Sequence, residues 1–121
     1  MKPIAPAERL VRNLQEGGWR AFQSEGVDFP GISFIPLDER LPNGTGLHFF
    51  KMAPGALSPG HEHTCNEYFY VIEGDLVDND GTRYGPGDMV MLRAGTQHSS
   101  HSPSGCTLLV YIETLEKPLD Y

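Results

Sequence analysis

Two histidines and a glutamate lie close together in the segment GHEHTCNEYFYVIEG, which runs from Gly60 to Gly74. His61 and His63 are two residues apart, so both imidazoles would lie on the same face of a β-strand. Glu67 opens the next aromatic run, from which its carboxylate could reach the same point. Burying such groups is costly unless they are hydrogen-bonded, neutralised or bound to an ion. Two imidazoles and a carboxylate beside apolar residues favour an open transition-metal site, although a solvated loop could also hold them.

The run EYFYVIE predicts an apolar wall next to these groups. Phe69 and Val71 share the parity of Glu67, so they are expected to continue its face into a pocket. Tyr68 and Tyr70 are expected to face the other way. Three further candidates for the pocket come from other segments: Phe49, Tyr111 and Arg93. The register between strands is not known from the sequence, so Phe49 and Tyr111 could line either the pocket or the opposite face. Arg93 could bind a substrate carboxylate, but a solvated arginine is the better explanation.

Short runs rich in β-branched and aromatic residues make up most of the chain after residue 22. These runs are ISFIPL, GLHFFKM, EYFYVI, GDLVDND, TRYGPGDMVML and CTLLVYIE, and turn signals such as PNG, NDG and PGD separate them. Strands of this length and spacing predict an antiparallel sandwich or barrel. Asp80-Gly81 predicts a hairpin between DLVD and TRY.

The N-terminal segment PAERLVRNLQEGGWRAF has a different period. Its apolar residues Ala7, Leu10, Val11 and Leu14 have helical spacing, and the following pair of glycines would end a helix. We therefore expect a short helix or helical turn before the strands. At the other end, the tail EKPLDY is expected to run over the surface or onto a neighbouring subunit.

Composition excludes several classes of function. The chain has 121 residues, enough for one domain with its own core, and a formal net charge of −7. That charge argues against nucleic acid or an anionic membrane surface as a partner. No apolar run is long enough to span a membrane and no secretory signal is visible, so a cytoplasmic protein is expected. Two cysteines, Cys65 and Cys106, do not form a disulfide framework.

Two segments resemble the motifs of the cupin superfamily. GALSPGHEHTCNEYFYVIEG, from Gly55 to Gly74, has the spacing of the first motif: G, five residues, H-x-H, three residues, E, six residues, G. GDMVMLRAGTQHSSHS, from Gly87 to Ser102, resembles the second motif, with Arg93 in place of its proline and Ser102 in place of its asparagine. Two motifs in the right order are more specific than either alone.

Within the superfamily, the second segment and the strand after it are most similar to the ChrR-type cupins and to diketone-cleaving dioxygenases. The resemblance implies an all-β jelly-roll barrel, or double-stranded β-helix, with a metal in its mouth. It implies four ligands: His61, His63, Glu67 and His98. It also implies one divalent metal per chain, with Fe(II) favoured and Zn, Ni or Mn as alternatives.

The resemblance implies three possible functions. The first is a non-haem dioxygenase for a small diketone, hydroxyketone or other enolisable or aromatic substrate, with Glu67 as a ligand or as a catalytic base. The second is a metal- or ligand-sensing module like the cupin domain of the anti-sigma factor ChrR. Direct inhibition of a sigma factor is not expected, because the N-terminal segment is too short to replace ChrR's zinc-bearing domain. The third is a metal-dependent isomerase or decarboxylase.

The expected organisation is one domain. Residues 1–45 would form a helical turn and edge strands, residues 46–115 the barrel core, and residues 116–121 a tail. The resemblance also implies a homodimer, in which residues 19–36 could cover a sheet edge of the other subunit. His48 is expected to be a hydrogen-bonded structural histidine, and His101 a residue on the opposite face from His98.

Overall fold

The computed structural model describes residues 1–24 and 26–119. Eleven strands are assigned within this part of the chain. In chain order they are β1 (Arg20–Ser24), β2 (Val27–Pro36), β3 (Gly46–Met52), β4 (Leu57–Glu62), β5 (Glu67–Gly74), β6 (Leu76–Asp78), β7 (Arg83–Tyr84), β8 (Met89–Leu92), β9 (Gln97–His101), β10 (Cys106–Ile112) and β11 (Lys117–Pro118).

The strands form two antiparallel sheets. The larger has the order β1-β2-β3-β10-β5-β8, and the smaller has the order β11-β4-β9-β6-β7. Chain neighbours repeatedly lie in different sheets, as in a jelly roll. The predicted all-β class and cupin-type architecture are therefore confirmed. The hairpin predicted at Asp80-Gly81 is also present, since Leu76 pairs with Tyr84 across it.

Strand β5 shows how the alternating pattern divides the two faces of the larger sheet. Phe69 is 4% exposed and Val71 is fully buried, whereas Tyr68 and Tyr70 are 47% and 43% exposed. The inward residues of β5 pack in the main core with side chains from β2, β3, β6 and β10. The parity predicted for this strand is therefore confirmed, and it brings the side chain of Glu67 inside with the core.

The N-terminal segment is helical only in two separate turns. These are 3-10 turns at Pro6–Glu8 and Leu14–Glu16, with extended backbone between them. Leu10 and Val11 are 45% and 69% exposed, so no apolar helical face packs on the barrel. The helical spacing predicted one short helix or helical turn, whereas the structure has two separate turns. A continuous helix is not formed here because a helix without a buried apolar face gains little stability. None of the helices in the described residues is long and apolar enough to span a membrane.

The first and last strands, β1 and β11, are joined to the two sheets by backbone pairing. Strand β2 pairs with β1 and with β3 of the same chain, so β1 and β2 cover the edge of β3 without a second subunit. The homodimer remains a prediction. The tail does not wander over the surface as expected, because Lys117 and Pro118 pair with β4 opposite Glu62 and His61. Its last two residues, 120 and 121, lie outside the described part of the chain.

Four glycines of the two motif segments have left-handed backbone conformations. Gly55, Gly74, Gly87 and Gly95 all have positive φ, between 81° and 92°. Gly74 also permits a close approach, since a Cβ there would lie 1.9 Å from the carbonyl oxygen of Gly105. No side chain fits at that distance, so glycine is required where β5 meets the start of β10.

Candidate metal centre

Three imidazoles converge at one end of the smaller sheet. His61 in β4 lies directly opposite His98 in β9, and His63 follows β4 by one residue. The Nε2 atoms of His61 and His63 are 3.0 Å apart, and the ring centroid of His98 lies 4.6 and 4.8 Å from theirs. One ring nitrogen from each histidine can be chosen so that all three lie within 4.8 Å of one another. The structure thus brings His98 together with two histidines that lie far before it in the sequence.

The other ring nitrogen of each histidine has a hydrogen-bond acceptor. Nδ1 of His61 lies 2.9 Å from the carbonyl oxygen of Pro59. Nδ1 of His63 lies 3.3 Å from Oγ1 of Thr96, whose hydroxyl donates to the carbonyl oxygen of Arg93 and so can accept from the imidazole. When Nδ1 carries the proton, the lone pair of Nε2 is free. This is the tautomer in which a histidine binds a metal through Nε2.

His98 has the strongest of these partners. Its Nδ1 lies 2.9 Å from Oδ1 of Asp78, which is 6% exposed, and the hydroxyl of Tyr84 donates to the other carboxylate oxygen at 2.6 Å. Burial and this acidic neighbour raise the pKa of Tyr84, so the phenol keeps its proton. A carboxylate behind a histidine orients the ring and increases its basicity as a ligand.

Nε2 of His98 is the observation that most directly indicates a metal. It is buried and has no hydrogen-bond partner in the described part of the chain. A buried nitrogen left in this way is costly unless it binds something, and imidazole nitrogens are common ligands of divalent metals. Desolvation, and then the neighbouring His61 and His98, lower the pKa of His63 to about 4. This imidazole is therefore neutral at physiological pH, as a ligand must be.

Glu67 contributes a carboxylate to the same cluster. Oε1 of Glu67 lies 3.6 Å from Nε2 of His63, and the side chain is 11% exposed. Burial raises the pKa of Glu67 well above its usual value, and the nearby Glu116 raises it further. A bound cation would reverse this balance, because it favours the ionised carboxylate. The residues present fit a divalent metal with nitrogen and oxygen ligands.

A second carboxylate reaches the cluster from the tail. Oε2 of Glu116 lies 3.4 Å from Nε2 of His61, and ligand atoms of Glu116, Glu67 and His63 lie within 4.8 Å of one another. Glu116 immediately precedes β11 and is held there by the pairing of β11 with β4. The side chain of Glu116 is 31% exposed, which makes it the most accessible carboxylate or imidazole of the group.

Two adjoining cavities open from the histidines. The smaller, of about 60 Å³, is lined by His61, Glu67 and His98 and by apolar side chains that include Phe69. The larger, of about 300 Å³, is mostly apolar and extends between β1, β2 and the tail. Residues in the wall of both cavities are Phe22, Gly44, Phe50, Ser58 and His61. The lining residues of the two cavities include no lysine or arginine.

Gly44 shapes the boundary between the two cavities. It has a φ of 82°, and a Cβ at this position would lie 2.9 Å from two ring carbons of Phe22. The phenylalanine from β1 can therefore pack over the loop before β3 only because residue 44 is glycine. The predicted "edge strand" β1 is thus part of the wall of the site.

The pocket residues predicted from the sequence divide into two groups. Phe69 lines the smaller cavity, and Val71 lies deeper, in the packed core. Phe49, Tyr111 and Arg93 do not line either cavity, and their assignment to the pocket was wrong. Phe49 contacts a separate small cavity on the other side of β3, Tyr111 lies on the outer face of β10 with 42% exposure, and Arg93 is an exposed turn residue.

The other histidines are placed as expected. His48 is 3% exposed, its Nδ1 lies 3.0 Å from the carbonyl oxygen of Gly46, and its ring borders the smaller cavity. His101 is exposed on β9. The two departures from the second motif leave the local turn intact. The carbonyl oxygen of Arg93 still accepts from Thr96, and the buried hydroxyl of Ser102 donates to the carbonyl oxygen of Asp75 at 2.6 Å.

Sequence reasoning missed Asp78, Tyr84, Thr96 and Glu116. Asp78 is the last residue of β6, and the other residues of this strand are buried and apolar. This pattern is only a weak indication of a buried, functional carboxylate. Thr96 lies inside the second motif, two residues before His98, but nothing in the spacing pairs it with His63. No feature of the sequence indicated a role for Glu116, because its position depends on the pairing of a two-residue strand with β4.

Comparisons with known proteins identify the family and the fold of this chain. The family model of the ChrR cupin-like domain matches residues 7–116. Gentisate 1,2-dioxygenase from Ralstonia sp is 30% identical over 125 residues, which cover 100% of this chain and 31% of that protein. The chain therefore spans less than a third of the length of this relative.

Two solved structures share the fold. The anti-sigma factor ChrR in complex with SigE from Rhodobacter sphaeroides aligns with a TM-score of 0.61 and 22% identity, over 82% of this chain and 50% of that one. An acetylacetone dioxygenase from Acinetobacter johnsonii aligns with a TM-score of 0.73 and 13% identity, over 99% of this chain and 83% of that one. At these identities the likeness shows a common architecture.

Proposed function

From its place in the ChrR cupin-like family, to which this chain belongs, we propose that the protein is a metal-dependent dioxygenase for a small enolisable diketone or hydroxyketone. The observation that carries the proposal is the junction of the three histidines with a mostly apolar cavity whose described lining residues include no lysine or arginine. Relatives named for gentisate and acetylacetone dioxygenation support the reaction class.

The residues that would hold the metal are His61, His63, Glu67 and His98, with Fe(II) as the favoured ion. When bound, such an ion acts as a Lewis acid and provides open positions for an oxygen-containing ligand and dioxygen. The chain prepares the donors for this role through the acceptors at each Nδ1, which keep the three Nε2 atoms directed at the cluster. The buried Asp78 contributes most to this orientation, because it is charged and pairs directly with His98.

Glu67 is the residue in the smaller cavity best suited to move a proton. Its carboxyl group lines that cavity, and a bound cation would keep it ionised and able to accept a proton. In the proposed reaction a carboxylate accepts the proton from the carbon between the two carbonyl groups, which leaves an enolate. The enolate then reacts with dioxygen, the bond between two carbons breaks, and both oxygen atoms are retained in the products.

The cavities favour a substrate with a polar dicarbonyl head and an uncharged apolar body. The head would lie in the smaller cavity beside His61 and Glu67, and the body would lie in the larger one among side chains such as Phe29 and Ile32. An anionic body would be buried without a basic partner, which is costly. This feature disfavours gentisate itself, whose carboxylate would have no lysine or arginine among the lining residues.

Metal analysis and oxygen uptake test the proposal. Protein purified without an affinity tag is expected to hold about one iron per chain and to consume one dioxygen per β-diketone, with a preference for diketones that carry an apolar substituent. The His98→Ala variant is the control and is expected to lose both the metal and the activity. A fully loaded protein that takes up no dioxygen with any diketone would contradict the dioxygenase assignment.

A sensing module is the second candidate, because the family itself is defined by the cupin-like domain of ChrR. In that case the same metal and cavity would bind a ligand without converting it. Tight metal binding, no turnover, and a change in protease sensitivity upon diketone binding are the expected observations. An isomerase or decarboxylase is less well supported, because the cavity walls lack the basic side chains that usually bind a phosphate or carboxylate. Turnover without oxygen would favour that third function.

A further inference from the structure

We propose that Glu116 is an additional, tail-borne donor to the metal, and that a ligand entering from the larger cavity must displace it. The four ligands implied by the motifs all lie between residues 61 and 98, and none of them comes from the C-terminal segment. The proposal requires metal binding at the site but does not require dioxygenase activity.

The geometry places Glu116 next to established donors of the cluster. Its Oε2 lies 3.4 Å from Nε2 of His61. Its carboxylate also belongs to a group with His63 and Glu67 in which all ligand atoms lie within 4.8 Å of one another. These distances allow one ion to contact His63, Glu67 and Glu116 with small side-chain adjustments, since metal–ligand bonds to such donors are about 2.0–2.2 Å long. His63 also belongs to the group of three histidines.

The backbone around Glu116 is held on both sides. Before it, the hydroxyl of Thr64, in the loop between His63 and Glu67, donates to the carbonyl oxygen of Leu115 at 2.7 Å. After it, Lys117 pairs with Glu62, and the amide of Leu119 donates to the carbonyl oxygen of Gly60 at 3.0 Å. The tail is therefore attached to the same segment, residues 60–64, that carries the two motif histidines.

The residue types give a second reason for a cation between these groups. The carboxylates of Glu67 and Glu116 belong to one group of ligand atoms that lie within 4.8 Å of one another. Among the described residues, the only ion-pair partners of either carboxylate are the histidines of the cluster. Two carboxylates whose only such partners are imidazoles lack a permanent positive charge, which a divalent metal would supply. The buried, unpartnered Nε2 of His98 points to the same conclusion.

The position of Glu116 also separates its role from that of Glu67. Glu67 lines the smaller cavity only, whereas Glu116 and its neighbours Leu115 and Pro118 form one wall of the larger cavity. A ligand in the larger cavity that approaches His61 therefore comes beside the Glu116 carboxylate, whose Oε2 lies 3.4 Å from Nε2 of that histidine. A partly exposed carboxylate on a short terminal strand can move aside more readily than a buried one on a central strand.

Titration with Co²⁺ and azide, without dioxygen, tests the proposal. The Glu116→Gln variant is expected to bind Co²⁺ at least about 10-fold more weakly than wild type, as even the loss of an outer-shell partner can do. The cobalt-loaded variant is expected to bind azide several-fold more tightly, followed by visible absorption, because its competitor is gone. The Glu113→Gln variant removes an exposed carboxylate from the same segment and is expected to change neither value.

The two opposite changes distinguish a displaceable donor from a merely structural residue. A structural defect would weaken Co²⁺ and azide binding together, and that result would overturn the proposal. Unchanged Co²⁺ affinity, or weaker Co²⁺ binding with unchanged azide affinity, would also overturn it. If wild-type protein bound no Co²⁺, the metal centre itself would be wrong. Normal binding with an indistinguishable Glu116→Gln variant would leave the metal centre intact and remove only this role.

Discussion

The strands that carry the histidines and the tail that carries Glu116 approach the same point in different ways. On the strand side, His61, His63 and Glu67 are at most 9% exposed, and the Nδ1 atom of each histidine has an acceptor. On the tail side, Glu116 is held through its backbone neighbours, and its side chain is 31% exposed.

This difference separates two requirements of an open metal site. Buried donors with fixed orientation provide affinity, because little entropy is lost when the ion binds. A donor on a short, exposed segment can leave when another ligand arrives, because its local stability is low. The strand side therefore suits permanent ligands, and the tail suits an exchangeable one.

The largest effect is expected on the strand side, from Asp78→Asn. The amide can still accept from Nδ1 of His98 but carries no charge, so metal affinity is expected to fall about 10- to 100-fold. Chelator competition measures the change. Asp80→Asn, in the exposed turn of the same hairpin, keeps the acceptor for the amide of Thr82 and is expected to have wild-type affinity. Equal affinities for both variants would contradict the orienting role of Asp78.

An intermediate effect is expected from Glu67→Gln on the metal-free protein, and its sign depends on pH. The folded-state pKa of Glu67 is raised above 4.5, so the folded protein retains a proton that the unfolded chain releases. This group therefore costs no stability below about pH 4.5, and it destabilises the fold progressively as the pH rises towards the folded-state pKa.

Replacing that carboxyl group with a neutral amide should remove the pH-dependent cost. Glu67→Gln is expected to increase the free energy of unfolding at pH 7 by about 1 kcal/mol or more, and to have little effect at pH 4. Urea denaturation in the presence of a chelator measures both values. Glu116→Gln, which removes a more exposed carboxylate, should give a smaller gain. A larger increase in the free energy of unfolding for Glu116→Gln than for Glu67→Gln would contradict the expectation that the more buried carboxylate costs more stability.

The smallest effect is expected from Thr64→Ala, which releases the tail without removing a donor. Loss of the hydrogen bond to Leu115 is worth about 1 kcal/mol, so metal affinity should fall by a factor of about 5. In a Glu116→Gln background the same substitution should have no effect on metal affinity, because the donor that it positions is absent. An equal loss in both backgrounds would show that Thr64 acts on the histidines and not through the tail.

Local sequence patterns predicted the part of the site that contains His61, His63 and Glu67. The alternation of EYFYVIE predicted which side chains are buried, because side chains alternate with a period of two on any strand. The resemblance to the cupin motifs implied His61, His63, Glu67 and His98 as ligands, and the structure places these four side chains near one another. The spacing of the turn signals predicted an all-β fold, and the motif resemblance predicted its architecture.

Tertiary structure alone decided which distant residues complete and surround the site. Phe49 and Tyr111 were assigned to the pocket because strand register and sheet order are set by long-range pairing, which no local pattern reports. Asp78 reaches His98 only because β6 pairs with β9, and Glu116 reaches His61 only because β11 pairs with β4. Local spacing thus determines what a segment can bind, and pairing between segments determines which groups meet there.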